Sequence, residues 1–166
     1  MIKTNKPLVV VILDNIRSNE NVGSIFRTCD AAGVSKVFLC GYTPAPVDRF
    51  GRENRALTKA SLGAEKFIEW EKVEKLSDLI ERLKDQKIKI VAIEQDQRAI
   101  DYREIKKFGP IASGSSVALV FGNEVNGLSK DDLDACDKIM EIPMKGQKES
   151  LNVAVSVGIA LFSLDD

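Results

Sequence analysis

Three polar, glycine-bearing stretches hold the side chains best suited to chemistry: DNIRSNENVGSIFR (Asp14–Arg27), FGNEVNGLS (Phe121–Ser129) and IPMKGQKESLN (Ile142–Asn152). Between them they offer arginine, carboxylate, amide and hydroxyl groups. The chain has no histidine. That removes Ser-His-Asp and Cys-His nucleophilic mechanisms together with the commonest metal ligand, and no metal site is expected. Any reaction must rest on Arg, Lys, carboxylates, hydroxyls, amides or an organic cofactor. Neither G-x-G-x-x-G nor G-x-x-x-x-G-K-[ST] occurs, so the dinucleotide fingerprint and the P-loop are both missing. Each stretch alone also has a plainer reading. Gly122 and Gly127 can simply make a turn, and Glu124 can be a solvated loop carboxylate.

The hydrophobic pattern shows which elements must position these loops. Pro7–Leu13 and Val117–Phe121 are continuous apolar runs, as in strands covered on both faces. Lys36–Cys40, Lys66–Trp70, Lys89–Ile93 and Lys138–Ile142 read as further strands. Helices are expected over Asn21–Ala32 (ended by Gly33), Arg55–Leu62 and Val73–Lys84, and after Ser129, an N-cap followed by Asp131 and Asp132. The Gly41–Glu53 segment reads as a long loop, and the pattern over Gln95–Ala112 is indeterminate. Strands alternating with helices give an α/β fold, a mostly parallel sheet with helices on both faces. In such sheets ligands bind beyond the carboxyl ends of the strands, where the three polar stretches fall.

The 166 residues suit a single domain, residues 1–166, with no second domain. No apolar run is long enough to span a membrane, and the start of the chain reads as a strand, not a signal peptide. Three scattered cysteines, Cys29, Cys40 and Cys136, suit reduced thiols and a cytoplasmic setting. A net charge of −1 announces no nucleic-acid partner. The local run Arg49, Arg52, Arg55 and Lys59 is either a phosphate-binding patch or a solvated face.

Taken in order, the three stretches resemble the three motifs of the SpoU/TrmH family of RNA ribose 2′-O-methyltransferases, in the SPOUT superfamily. The first motif, N-x-G-x-[IL]-x-R, matches Asn21–Arg27. The second, [LIV]-[VI]-[FL]-G-x-E-x-x-G-[LI], matches Leu119–Leu128. The third, I-P-M-x-G-x-x-x-S-L-N-[VL]-[AS], matches Ile142–Ala154. Leu62-Gly63-Ala64-Glu65 is also similar, and the likeness spans residues 7–163.

This resemblance implies a C-terminal deep trefoil knot, S-adenosyl-L-methionine as cofactor, tRNA or rRNA as substrate, and an obligate homodimer. Arg27 would be the catalytic arginine, reaching the partner's cofactor and acting either as a base or as a cation that grips a target phosphate and stabilises the developing alkoxide. Asn21, Glu124, Ser150 and Asn152 complete the implied catalytic set, with Ser150 also capping the terminal helix. The cofactor would lie against Leu119, Phe121, Gly122, Asn123, Gly127, Ile142, Pro143, Met144, Leu151 and Asn152. Arg27, Arg49, Arg52, Arg55 and Lys145 are the implied RNA contacts. The terminal helix supports a dimer separately. Val153, Val157 and Leu164 fall on one side, and Leu151, Val155, Ile159 and Phe162 on another, so it is apolar nearly all round. Two rivals remain, a SPOUT-fold dimer that binds RNA or cofactor without catalysis and a SPOUT base methyltransferase.

Overall fold

β1 (Val9–Asp14) runs through the middle of the sheet, because its alternating side chains feed two different cores. Val11 and Leu13 join one apolar cluster, whereas Val10 and Ile12 join the other. The same period of two divides β6 (Val117–Phe121), with Val117, Leu119 and Phe121 on one face and Ala118 and Val120 on the opposite face. The computed structural model describes residues 7–108 and 114–164. The ends of the single-domain expectation and residues 109–112 of the indeterminate stretch lie outside the described residues.

Seven parallel strands lie in the order β3-β2-β1-β6-β4-β7-β5. The others are β2 (Lys36–Cys40), β3 (Glu69–Val73), β4 (Lys89–Ile93), β5 (Ile100–Asp101) and β7 (Lys138–Glu141). The chain first builds outward from β1 through β2 to β3, then crosses to the other half. That reversal brings the carboxyl ends of β1, β6, β4 and β7 side by side, the geometry in which α/β proteins form a ligand crevice.

One face carries α1 (Asn19–Ala31), α2 (Arg55–Ser61) and α5 (Val153–Phe162), whose Val22, Ile25, Phe26, Leu57, Val157 and Leu161 enter the first cluster. The other carries α3 (Leu76–Asp85) and α4 (Lys130–Ala135). Leu76, Leu79, Ile80 and Leu83 of α3 are all buried, each worth about 1.5–3 kcal/mol relative to exposure. Gly23 lets α2 lie directly on α1, since a Cβ there would stand 2.4 Å from the Leu57 carbonyl oxygen.

Several boundaries shift by a residue or two from the sequence reading, and two element starts shift further. The strand expected over Lys66–Trp70 begins at Glu69, because Leu62 and Gly63 both take left-handed conformations and Ala64–Lys66 closes a 3₁₀ turn. The following helix begins at Leu76, not Val73. Val73 ends β3, and its carbonyl accepts the Gly41 amide at 3.0 Å. Within the indeterminate stretch lie β5 and a 3₁₀ segment, Tyr102–Lys107. The terminal helix is covered on one side only. Val157, Ala160, Leu161 and Leu164 are buried, whereas Val155 and Phe162 are 50% and 54% exposed. No helix among the described residues is long and apolar enough to cross a membrane.

Candidate active site

The loops leaving β1, β6 and β7 are joined by a single chain of hydrogen bonds centred on Asn21. Ser18 caps α1 by accepting the Asn21 amide at 3.1 Å, which places the Asn21 side chain in the first helical turn. Glu124 arrives from the β6 loop and accepts the Arg17 amide at 3.0 and 3.2 Å, the Ser18 amide at 3.3 Å and Asn21 Nδ2 at 3.2 Å. Asn152, from the third loop, donates its Nδ2 to Asn21 Oδ1 at 3.0 Å. Its own Oδ1 accepts the Ala154 amide at 2.8 Å and so caps α5.

Chemistry fixes the direction of this relay. An ionised Glu124 can only accept, so Asn21 must offer its amide nitrogen there and its oxygen to Asn152. Asn152 then has its oxygen left for the helix amides. The helix cap is therefore Asn152 and not Ser150, which corrects the sequence reading. Ser150 lies two residues before the cap, exposed at the rim of the cavity described below.

Partial burial would push the Glu124 carboxyl up. The amides of Arg17, Glu124 itself and Ser18, together with the Asn21 side chain, outweigh this and hold it below the ordinary carboxylate range. Stability from a lowered carboxyl is present above the unfolded value and is lost as pH falls through the folded one. Glu124→Gln is therefore expected to cost about 1 kcal/mol at neutral pH, a modest figure because the side chain is exposed. The deficit should shrink toward zero in acid, which urea unfolding of both proteins across pH would measure.

Beside the relay lies a cavity of about 300 Å³. Phe121 and Gly122 at the end of β6, Ile142 and Met144 after β7, and Leu151 and Val153 at the start of α5 supply its apolar surface. Glu94, Glu124 and Glu149 also line it, and among the described residues no Lys or Arg does. A ligand with an apolar planar part and a positive charge suits such walls.

Tight turning of the β6 loop shapes the cavity. Gly127 donates its amide to the Asn123 carbonyl at 2.9 Å, and Asn123 Oδ1 accepts the amides of Val125 and Asn126, both at 2.9 Å. Asn123 Nδ2 donates to the Asn15 carbonyl at 2.9 Å and to Tyr42 Oη at 2.8 Å. Asn15 holds a left-handed conformation (φ 55°), one that Asn tolerates better than most residues. Its Oδ1 accepts the Tyr42 amide at 3.2 Å.

Of the residues assigned to the cofactor by resemblance, Phe121, Gly122, Asn123, Gly127, Ile142, Met144 and Leu151 line this cavity. Leu119 is fully buried within β6 in the core, and neither Pro143 nor Asn152 is among the lining. Glu94 and Gln95, at the end of β4, escaped the sequence reading. Glu94 accepts the Leu128 amide at 3.2 Å, and Gln95 Nε2 donates to the Glu149 carbonyl at 2.5 Å. Two polar residues directly after a buried strand were the available signal.

The cations lie apart from the cavity. Arg27 is exposed on α1 and forms no hydrogen bond or ion pair among the described residues. Arg49 and Arg52 flank the Phe50 ring at 4.8 and 5.2 Å, and Arg52 is ion-paired with Asp48 at 2.7 Å. Arg55 opens α2, and Lys145 is exposed on the third loop. Among the described residues no three acidic or cysteine side chains gather as a metal would require.

A parallel α/β sheet with a carboxylate-lined cavity beyond the ends of β4, β6 and β7 defines a ligand-binding α/β protein. Comparison with known proteins makes this specific. The SpoU rRNA Methylase family model matches residues 8–162, and the chain belongs to that family. A Staphylococcus saprophyticus protein named for the TrmH family of tRNA/rRNA methyltransferases is 34% identical over 160 residues, 96% of this chain and 59% of its own length. An AdoMet-bound rRNA methyltransferase from Sinorhizobium meliloti superposes with a TM-score of 0.85 at 29% identity, covering 98% of this chain and 57% of that one. A TrmH/SpoU tRNA modifying enzyme from A. aeolicus gives 0.78 at 29% identity, covering 94% and 73%. The chain thus spans a little under three fifths of the curated relatives it matches.

Proposed function

We propose that this chain is an S-adenosylmethionine-dependent methyltransferase acting on a ribose 2′-hydroxyl of tRNA or rRNA. We read it as an obligate homodimer whose C-terminal part is threaded as a deep trefoil knot, working in the cytoplasm. The observation that carries the reading is the Glu124–Asn21–Asn152 relay, which locks all three family motifs beside one cavity.

The cavity's composition fits the cofactor. Phe121, Ile142, Met144 and Leu151 would enclose an adenine ring, main-chain groups would read its edge, and Glu94, Glu124 and Glu149 favour a cation. When bound, S-adenosylmethionine supplies a methyl group made electrophilic by its positive sulfur. The chain's own residues then have two tasks, holding the acceptor oxygen in line and stabilising the negative charge that develops on it as the hydroxyl proton passes to solvent. The Arg27 guanidinium has no hydrogen-bond or ion-pair partner among the described residues, so it serves as the cation that grips a target phosphate and steadies the alkoxide. Because Arg27 does not line its own chain's cavity, we assign it to the cavity of the second subunit. The exposed Val155 and Phe162 stripe of α5, packed beside α1, supplies an apolar surface for that pairing. Ser150 Oγ, at the rim, is assigned to hydrogen-bond the acceptor nucleotide.

The test is methyl transfer from labelled S-adenosylmethionine to total tRNA and to ribosomal RNA, followed by nucleoside mapping. A 2′-O-methyl nucleoside in one RNA class is the expected product. Methyl on a base nitrogen, or on neither RNA, would overturn the reading.

A further inference from the structure

We propose that the loop between β2 and α2 forms, with Trp70 and Lys72 of β3, a pocket for an unpaired nucleobase of the RNA substrate. This rests on the methyltransferase reading and adds a binding site separate from the cofactor cavity. The hollow has a volume of about 870 Å³. Pro44, Ala45, Val47 and Trp70 give it apolar walls, and Arg49 and Arg52 stand at its rim.

Hydrogen bonds within the chain shape the loop. Thr43 Oγ accepts the Ile16 amide at 3.0 Å and donates to the Leu13 carbonyl at 2.9 Å, tying the loop to the end of β1. The Lys72 ammonium donates to the Gly41 carbonyl at 2.7 Å and also to that of Thr43. Asp48 Oδ1 accepts the amides of Phe50 and Arg52 at 2.8 and 2.9 Å, and the Asn54 amide reaches the Pro46 carbonyl at 2.9 Å. A site held by this many bonds loses little freedom on binding.

Its chemistry favours a nucleobase over other occupants. The lining combines an indole with guanidinium planes, the two surfaces on which bases stack. The Arg49 guanidinium has no ion pair among the described residues and remains open to a phosphate, and Arg55 lies just beyond, at the start of α2. Glu53 lines the same hollow, and its carboxylate accepts no hydrogen bond among the described residues, which leaves an acceptor for base N–H groups. Location agrees with this chemistry. Asn54 Nδ2 donates to Asn19 Oδ1 at 2.6 Å, so the pocket adjoins the α1 turn that carries Asn21. A strand of RNA with one nucleotide at the catalytic loops could seat a neighbouring base here.

Trp70 is the chain's one tryptophan, so its fluorescence reports this pocket alone. Titrating the intact protein with a short single-stranded RNA of mixed sequence should give saturable quenching that weakens with salt. The same RNA annealed to its complement should quench far less. Trp70→Leu should lower affinity for the single strand by about 5- to 100-fold, Trp70→Phe should recover most of it, and neither should change S-adenosylmethionine affinity. Arg49→Gln, at an exposed position, should weaken binding and reduce the salt dependence. Unchanged fluorescence with single-stranded RNA, or equal quenching by duplex, would overturn the pocket. If RNA accepts methyl groups while those results fail, only the pocket is wrong. If no RNA accepts methyl groups, the reading beneath it has failed.

Discussion

Arg27→Ala should reduce methyl transfer by roughly 10²–10³-fold, the loss seen when one preorganised charge-stabilising donor is removed, while S-adenosylmethionine affinity stays near wild type. The split follows from position. Arg27 is exposed on α1, has no partner among the described residues and is absent from the cavity wall. Its removal leaves no buried group unsatisfied, so stability should move by no more than about 0.5 kcal/mol. Arg27→Lys keeps the charge but loses the planar fork, and should recover only part of the rate. Single-turnover transfer with labelled cofactor, paired with calorimetric cofactor titration, separates the two quantities. Mixed subunits supply a sharper arm. An Arg27→Ala chain combined with one whose cavity is blocked should regain activity if the arginine serves the neighbour's cavity. Failure to complement would place both in one chain, and a large loss of cofactor binding would reassign Arg27 to the cavity itself.

How far the sequence reveals such a site depends on how local each signal is. β2, β4 and β6 have the boundaries their apolar runs indicate, since a buried parallel strand needs only uninterrupted apolar residues. The sequence pattern starts α3 too early because Val73 fits the helical spacing equally well, and only its pairing with Cys40 commits it to β3. Ser129 announces α4 through adjacent residues, and its side chain does accept the Asp132 amide. The terminal helix misleads by the same rule. Ser150 and Asn152 are both good caps by type, and the choice was made by Asn21, 131 positions away in the chain. The motifs marked which loops matter, but the bonds that join them run between segments far apart. Glu94 and Gln95 carry only a local signal, two polar residues after a buried strand, which does not say where they act. Their function appears only when the sheet order puts β4 between β6 and β7.

Gly122→Ala should be the most damaging small change in the cavity, lowering stability by about 1–3 kcal/mol and removing S-adenosylmethionine binding at accessible concentrations. A Cβ at 122 would stand 2.6 Å from the Gly127 carbonyl carbon, 2.7 Å from the Leu128 amide nitrogen and 2.8 Å from Leu128 Cγ. Two of the three are backbone atoms and cannot swing aside. Leu128 is buried and its amide is held by Glu94, so the loop cannot retreat without breaking that bond. Any accommodating shift also moves the turn set by Asn123, which forms part of the cavity wall. Gly146 of the third motif provides the contrast, since a Cβ there meets nothing within 4 Å. Gly146→Ala should therefore unfold like wild type in urea. Any loss of methyl transfer in that variant then reports contact with cofactor or RNA, because the fold gives no other reason for a glycine at that position. If Gly122→Ala instead binds the cofactor normally, the cavity beside the relay is not the cofactor's site, whatever its carboxylates suggest.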